Sequence, residues 1–201
     1  TRAAVGRMAL RTRHAGHASK PHDAAGRRRH TGGPRRLFLR VTMNLPNHEL
    51  SMTVLMTPDM ANFSGNVHGG TILKLLDQVA YACASRYAGR YVVTLSVDQV
   101  MFREPIHVGE LVTFLASVNH TGTSSMEIGI KVVTENIRAQ SVRHANSCFF
   151  TMVALDDDRK PAAVPPLDLV TPDQKRRFEA AKTRRQLRQE FEQRMRAMRQ
   201  A

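Results

Sequence analysis

Residues 71–87, TILKLLDQVAYACASRY, form the stretch that decides the fold. Apolar residues recur in it at intervals of three and four, which is typical of a helix with a wide apolar face. These positions are Ile72, Leu75, Leu76, Val79, Ala80 and Cys83. The stretch therefore predicts a helix over residues 71–87 that is apolar enough to be buried along much of its length.

Segments of β-strand character surround this helix. Residues 48–57 are rich in β-formers and end at Pro58-Asp59, which predicts a first strand. After Gly89 the apolar period changes to two, with Val93, Leu95 and Val97 on one face and Thr94 and Ser96 on the other. Alternation continues in three long segments, at residues 111–118, 125–132 and 141–155. Short turns between them predict an antiparallel meander, so the fold class is α+β, with one sheet curling around one helix.

A second helix is expected at the C-terminus. Thr171-Pro172-Asp173-Gln174 offers Thr171 as N-cap, proline at the first helical position and Gln174 to complete a capping box. The helix then carries a thin apolar stripe, formed by Leu187, Phe191, Met195 and Met198.

The charge lies at the two ends of the chain. The 201 residues contain 30 Lys+Arg and 17 Asp+Glu, a formal net charge of +13. Residues 1–42 hold 11 bases and one acid, and residues 171–201 hold ten bases and four acids, which leaves −3 for residues 43–170. A basic groove in the folded domain is therefore not expected, and a nucleic-acid partner is unlikely.

Three segments follow from this distribution: a basic leader over 1–42, a folded domain over 43–170 and the basic helix over 171–201. The leader has no usable periodicity and is expected to be a disordered extension upstream of Met43, with an RNA- or membrane-attracted arm as the alternative. Two cysteines, Cys83 and Cys148, lack metal or CxxC spacing, and no apolar run of transmembrane length occurs. A cytoplasmic location without a membrane span is expected.

The chemically informative segment is NFSGNVHGG, residues 62–70. Gly69 and Gly70 at a helix start present free backbone N–H groups that can hold an anion or a developing oxyanion, or they only form a tight loop. His68 is either an acid/base group or a loop residue that hydrogen-bonds to backbone. Asp77 is either a shielded general base or an ordinary carboxylate near Lys74.

Other candidates are weaker. His144 and Cys148 would share a face of the last strand, but they lie too far apart for direct contact in a nucleophilic pair. The run Asp156–Asp158 is most simply a solvated hairpin tip, not a metal site. P-loop, GxSxG, GxGxxG and zinc-ligand spacings do not occur, so neither a metal nor a cofactor is expected.

These motifs together resemble those of the hotdog-fold acyl-CoA thioesterases, the bacterial and brain-type cytosolic acyl-CoA hydrolases. The resemblance rests on Asn62-x-x-Gly65-Asn66-Val67-His68-Gly69-Gly70 with Asp77 on the following helix. Three flanking runs also fit, at residues 95–98 (LSVD), 102–106 (FREPI) and 123–127 (TSSME). The match extends from about His48 to the C-terminal helix.

The resemblance implies a curved antiparallel sheet around one long helix, paired into dimers that assemble as trimers of dimers, that is, hexamers. It places the site at the dimer interface, with Asn62 of one subunit facing Asp77 of the other. The thioester carbonyl would meet Gly69, Gly70 and His68, while Asp77 would act as general base on water or attack directly to give an anhydride. The products would be a fatty or other carboxylic acid and coenzyme A, which links the chain to fatty acid metabolism. Candidate partners for the coenzyme A phosphates are Lys131, Arg103, Arg138 and Arg143.

Two other functions stay open at this point. Hotdog folds also carry thioester dehydratases and hydratases, which usually place a different His/Asp or His/Glu pattern on the helix, whereas residues 71–87 contain no histidine. A non-catalytic regulator that binds coenzyme A or nucleotides, with RNA-attracted basic tails, would bind ligand without releasing thiol.

Overall fold

The computed structural model describes residues 47–102 and 104–200. Five strands and two long helices make up this part of the chain, with a short 3-10 turn at Pro58–Met60. Their bounds are β1 Glu49–Leu55, α1 Gly69–Ala88, β2 Tyr91–Val97, β3 Leu111–Thr121, β4 Ser125–Asn136, β5 Ser141–Leu155 and α2 Pro172–Gln200. Neither helix within these residues is long and apolar enough to cross a membrane. The predicted leader, residues 1–42, lies outside the described residues.

The five strands form one antiparallel sheet in the order β1-β3-β4-β5-β2. The predicted meander of three long strands is confirmed as β3, β4 and β5, the centre of the sheet. β1 and β2 lie at its two edges, and α1 joins them in the chain. The sheet and its helix confirm the predicted α+β fold.

α1 is the central helix, and it buries its apolar face against the sheet. Ile72, Leu76, Val79 and Cys83 are at most 1% exposed. The inward residues of the central strands alternate as predicted, with Val112, Phe114, Ile128 and Ile130 among those buried. The helix begins two residues earlier than predicted, since Gly69 and Gly70 belong to its first turn, and Gly89 ends it with φ of +62°.

The expected alternation in β2 is wrong in one respect. Leu95 and Val97 are 67% and 45% exposed, whereas Val92, at 1%, supplies the contact with the core. Val92 pairs with the buried Ala154 of β5, so it faces the core in place of Val93, and the register of the pairing then shifts between Thr94 and Ser96. β2 therefore presents apolar side chains at an edge of the sheet.

α2 lies on the outer face of the sheet, opposite α1. Its arginines contact Glu127, which lies between the core-facing residues Met126 and Ile128 of β4 and so points outward. The predicted capping box is present: Thr171 Oγ1 accepts from Gln174 N at 3.2 Å, and Gln174 Oε1 accepts from Thr171 N at 2.8 Å. The domain boundary at residues 170 and 171 stays a prediction.

Candidate active site

The start of α1 offers one backbone N–H to a ligand. His68 caps the helix, and its Nδ1 accepts a hydrogen bond of 2.8 Å from Gly70 N. The N–H groups of Thr71 and Ile72 point to the carbonyl oxygen of His68. Among the described residues, Gly69 N has no hydrogen-bond partner. Of the two predicted glycine donors, Gly69 is therefore the one whose N–H remains available. His68 makes the hydrogen bond to backbone that the loop alternative predicts, and its acid/base alternative stays a prediction.

Asn62 lies beside this donor, in the loop before α1. Its side-chain Oδ1 accepts hydrogen bonds from Ser64 N at 2.9 Å and Asn66 N at 3.2 Å. Because Oδ1 is held by the loop, the Nδ2 amide is the part of Asn62 that can bind a ligand. Asn62 and Gly69 line the same groove of about 300 Å³, whose other walls include Ile72, Phe102, Glu104, Pro105 and Ile106.

Asp77 lies farther along α1 and contacts the sheet edge. Its Oδ1 accepts a hydrogen bond of 2.6 Å from Thr94 Oγ1 on β2, and its side chain is exposed. A carboxylate held at one oxygen keeps the other oxygen free to accept a proton. Thr94 was missed by the sequence analysis because only the packing of β2 against α1 places its hydroxyl beside Asp77. The feature of the sequence that could have pointed to Thr94 is a hydroxyl side chain between the apolar residues Val93 and Leu95.

Gly69 and Asp77 are well separated within one chain. Asp77 follows Gly69 by eight positions on a single helix, which at about 1.5 Å per residue corresponds to about 12 Å along the axis. A base and an oxyanion donor must both lie within about 3 Å of the atoms that react. The two groups are therefore separated by about two turns of α1.

The predicted phosphate-binding candidates have different surroundings. Arg143 is occupied by the protein itself, with bonds of 3.0 Å to Glu104, 2.9 Å to the buried Glu110 and 2.6 Å to the carbonyl of Pro105. Lys131 is exposed on the outer face of β4, and Arg138 lies in the turn that joins β4 to β5. Arg103 lies outside the described residues.

The two cysteines are poor nucleophiles. Burial raises the pKa of Cys83 and of Cys148 to about 12, so both stay protonated at neutral pH. The alternation predicted that His144 and Cys148 share a face of β5, and this prediction is wrong. A register shift in the pairing of β4 with β5 turns the strand between them. His144 Nε2 lies 2.8 Å from the carbonyl oxygen of Asn146 and 2.9 Å from Ser147 Oγ.

Comparison with known proteins gives this arrangement a family. The model of the thioesterase superfamily matches residues 64–140. Protein VdlD of Helicobacter pylori is 48% identical over 140 residues, which are 70% of this chain and 80% of that protein. The family model covers part of the loop before α1, the helix itself and strands β2, β3 and β4.

Two solved structures extend the similarity to three dimensions. An apo-hexameric acyl-CoA thioesterase is 33% identical with a TM-score of 0.68, covering 71% of this chain and 91% of the other. An acyl-CoA hydrolase of Staphylococcus aureus, solved with butyryl coenzyme A and coenzyme A, is 29% identical with a TM-score of 0.66, covering 75% and 94%. Alanine variants of an aspartate, a threonine and an asparagine of that hydrolase are also solved. The chain therefore belongs to the thioesterase superfamily and is an acyl-CoA thioesterase with the hotdog fold.

Proposed function

We propose that this enzyme hydrolyses acyl-CoA to a free carboxylic acid and coenzyme A in a site shared by two copies of the chain. The main observation behind this proposal is the position of Asp77. Its carboxylate accepts a hydrogen bond from Thr94, about 12 Å along the axis of α1 from Gly69. The oxyanion donor and the base must then come from different subunits. A two-fold dimer contains two such sites, each with Gly69 and Asn62 from one copy and Asp77 from the other.

The proposed reaction begins with the thioester carbonyl oxygen at Gly69 N–H, where the N-terminus of α1 favours developing negative charge. Asp77 removes a proton from a water as the water oxygen bonds to the carbonyl carbon. The tetrahedral oxyanion then collapses and the C–S bond breaks. Asp77 returns the proton to the coenzyme A sulfur, so that the carboxylic acid and the free thiol leave. No resident metal or cofactor takes part in this scheme.

Asn62 and Thr94 have supporting roles in the proposal. The free Nδ2 of Asn62 donates to the attacking water or to the substrate carbonyl, while Thr94 holds the carboxylate of Asp77 in one orientation. The Staphylococcus aureus variants support this set. The asparagine replaced there precedes the aspartate by 15 positions and the threonine follows it by 17, the same spacing as Asn62, Asp77 and Thr94 here.

The proposed assembly is a dimer that associates further into a trimer of dimers. The hexameric thioesterase with a similar structure supports this step. At the edge of the sheet, β2 offers exposed apolar residues that a second copy can cover. We place the enzyme in the cytoplasm. Its proposed substrates carry coenzyme A, a bulky charged group that does not cross a membrane, so enzyme and substrate must share a compartment.

The test measures thiol release from acyl-CoA by purified Asp77→Asn and Asn62→Ala variants. Removing the general base is expected to lower kcat by at least about a hundredfold. Loss of the Asn62 amide is expected to lower kcat by a similar factor. Thr94→Val should lower kcat by about tenfold, because Asp77 is still present but is less well oriented.

Asp158→Asn provides the matched control, since Asp158 is an exposed carboxylate in the turn after β5. It should hydrolyse acyl-CoA at the wild-type rate. Near-wild-type turnover by Asp77→Asn, with the oligomer intact by gel filtration, would remove Asp77 from the mechanism. A wild-type protein that binds coenzyme A but releases no thiol would contradict the proposed function altogether.

A further inference from the structure

Strand β5 carries a β-bulge. Val132 of β4 pairs with Asn146 and Val133 pairs with His144, so Ala145 is an extra residue between two successive pairs. In a regular strand, side chains an odd number of positions apart point to opposite faces of the sheet. The extra residue interrupts this alternation once, so that two side chains three positions apart can share a face.

Arg143 and Asn146 are the two residues of β5 that the bulge brings to one face. Arg143 pairs with Thr134, and Asn146 pairs with Val132. These two residues of β4 lie two positions apart and are both fully buried, so they point to the same, core-facing side of the sheet. We call Arg143 and Asn146 together the β5 clamp, because both side chains bind the chain between β2 and β3.

The β5 clamp binds that chain at two backbone carbonyl oxygens. Asn146 Nδ2 donates to the carbonyl of Met101 at 2.8 Å, and Arg143 Nη2 donates to the carbonyl of Pro105 at 2.6 Å. Pro105 lines the groove that also contains Asn62. The clamp therefore fixes the backbone of one wall of the candidate site.

Glu110 holds the arginine of the clamp in place. Its side chain is 5% exposed and accepts from Arg143 Nη2 at 2.9 Å. The same carboxylate accepts from the backbone N–H of His107 at 3.0 Å. A guanidinium has several N–H donors in fixed directions, so one arginine can serve Glu110 and the carbonyl of Pro105 together. A buried carboxylate and the groove wall thus share one cation.

The clamped wall in turn holds the loop that carries Asn62. The carbonyl of Ile106 accepts from Val67 N at 2.8 Å, and His107 Nδ1 lies 2.9 Å from Asn66 Oδ1. Asn62 N then donates to the carbonyl of Asn66 at 2.6 Å. A continuous set of polar contacts therefore leads from the β5 clamp to Asn62.

We propose that Arg143 is a positioning residue for thioester hydrolysis, which acts through the groove wall to fix Asn62 relative to Gly69. This inference rests on the proposed function, in which Asn62 Nδ2 and Gly69 N–H act on the same substrate. Phe102 belongs to the same wall and lies beside Gly69, since a Cβ atom added to Gly69 would lie 3.8 Å from two of its ring atoms. The role differs from the phosphate-binding role that the resemblance implies for Arg143.

The test uses Glu110→Gln/Arg143→Met, which keeps an acceptor for His107 N and leaves no buried charge without a partner. Its kcat for acyl-CoA should fall by about tenfold, because Asn62 is less well oriented, while KM stays within about twofold of wild type. The same loss of kcat should occur with acyl-pantetheine, which keeps the thioester but lacks the nucleotide phosphates. Adding Asn62→Ala should give a rate within about twofold of Asn62→Ala alone, since Arg143 acts through Asn62.

Two further measurements separate positioning from a general loss of structure. Amide hydrogen exchange at Asn66 and Val67 should be faster in the Glu110→Gln/Arg143→Met variant, because the wall that holds their loop is released. Arg143→Lys keeps a charge beside Glu110 but lacks the planar set of donors, so it should fold and show a smaller loss of kcat. Gel filtration checks that each variant keeps the oligomeric state of the wild type.

The matched control is Glu192→Gln/Arg196→Met, which removes an exposed ion pair of the same kind from α2. It should keep the kcat and the hydrogen exchange of the wild type. Wild-type kcat in both Arg143 variants would overturn the proposal. A rise in KM for acyl-CoA alone would also overturn it and assign Arg143 to the phosphates.

Losses that multiply when Asn62→Ala is added would show that Arg143 and Asn62 act independently, and this too would overturn the proposal. Failure of the wild type to hydrolyse either thioester would instead contradict the proposed function. The hydrogen exchange at Asn66 and Val67 would then still show whether Arg143 holds the loop.

Discussion

His68 fixes the first turn of the helix on which the whole site depends. Its imidazole Nδ1 accepts from Gly70 N, in the position that Ser, Asn or Asp usually occupies in a capped helix. The bond also orients the loop that carries Asn62, since His68 N donates to the carbonyl of Met60 at 2.8 Å. The sequence left His68 open as an acid/base group or a loop residue. Its hydrogen bond with Gly70 N gives it a structural role beside the two glycines.

We expect His68→Ala to lower the free energy of unfolding by about 1 kcal/mol, the usual cost of a lost N-cap. His68→Asn should recover most of this loss, because an asparagine Oδ1 can accept the same N–H. Urea titration at one fixed protein concentration measures both, since oligomers gain apparent stability with concentration. Equal stability of the alanine variant and the wild type would show that the Gly70–His68 bond contributes nothing.

Individual site residues differ in how far the sequence could predict them. Gly69 and Asp77 were predicted from one motif and the helix that follows it, and Asn62 from the family resemblance; their roles in the site stay predictions, while their local spacing along the chain made them easy to propose. Thr94 could not be predicted, since its contact with Asp77 depends on how β2 packs beside α1. His144 was misplaced for a related reason: a shift in register changes which way every later side chain points, and alternation in the sequence does not reveal it.

At the scale of elements, ion pairs help to attach α2 to the sheet. Glu127 is 3% exposed and is held by Arg184 and Arg188, and Arg188 also reaches Asp98 at 2.7 Å just after β2. The guanidinium of Arg184 also lies 3.6 Å from the ring centre of Phe149. The cap and the helix were predictable from local sequence. The attachment was not, because the predicted apolar stripe from Leu187 to Met198 is exposed, and the contact is made by the arginines together with Ala181 and Phe178 in the first half of the helix.

The arginine pair should therefore control the docking of α2. We expect Arg184→Ala/Arg188→Ala to lower the free energy of unfolding by about 3 kcal/mol, because the carboxylate of Glu127 is left buried without a partner. Limited proteolysis should then cut within residues 172–200 before the rest of the domain. Adding Glu127→Gln should recover part of the stability by removing the stranded charge.

Lys175→Ala/Arg194→Ala removes the same charge from the solvent side of α2 and should change stability by no more than about 0.5 kcal/mol. If this control is as unstable as the arginine pair variant, the net charge of the helix matters and the contacts with Glu127 do not.

At the scale of the whole molecule, the proposed site needs two copies of the chain. Gly69, the proposed oxyanion donor, and Asp77, the proposed base, lie about 12 Å apart along the axis of α1. The sheet also ends at β2 with exposed apolar side chains, among them Tyr91 and Leu95 at 51% and 67%. In the proposed dimer, the second copy covers this sheet edge and supplies the Asp77 that the proposed site at Gly69 needs.

Subunit mixing tests this shared site directly. Asn62→Ala and Asp77→Asn homodimers each contain two defective sites and should be nearly inactive. In a mixed dimer, one site receives both defects and the other receives none. If equal amounts of the two variants are dissociated and reassociated at random, half of the dimers are mixed, and about a quarter of the wild-type sites are restored. Thiol release should rise to about a quarter of the wild-type rate per subunit, whereas either variant put through the same procedure alone should stay inactive. No gain on mixing, with mixed dimers demonstrated by mass spectrometry, would mean that Asn62 and Asp77 act within one chain.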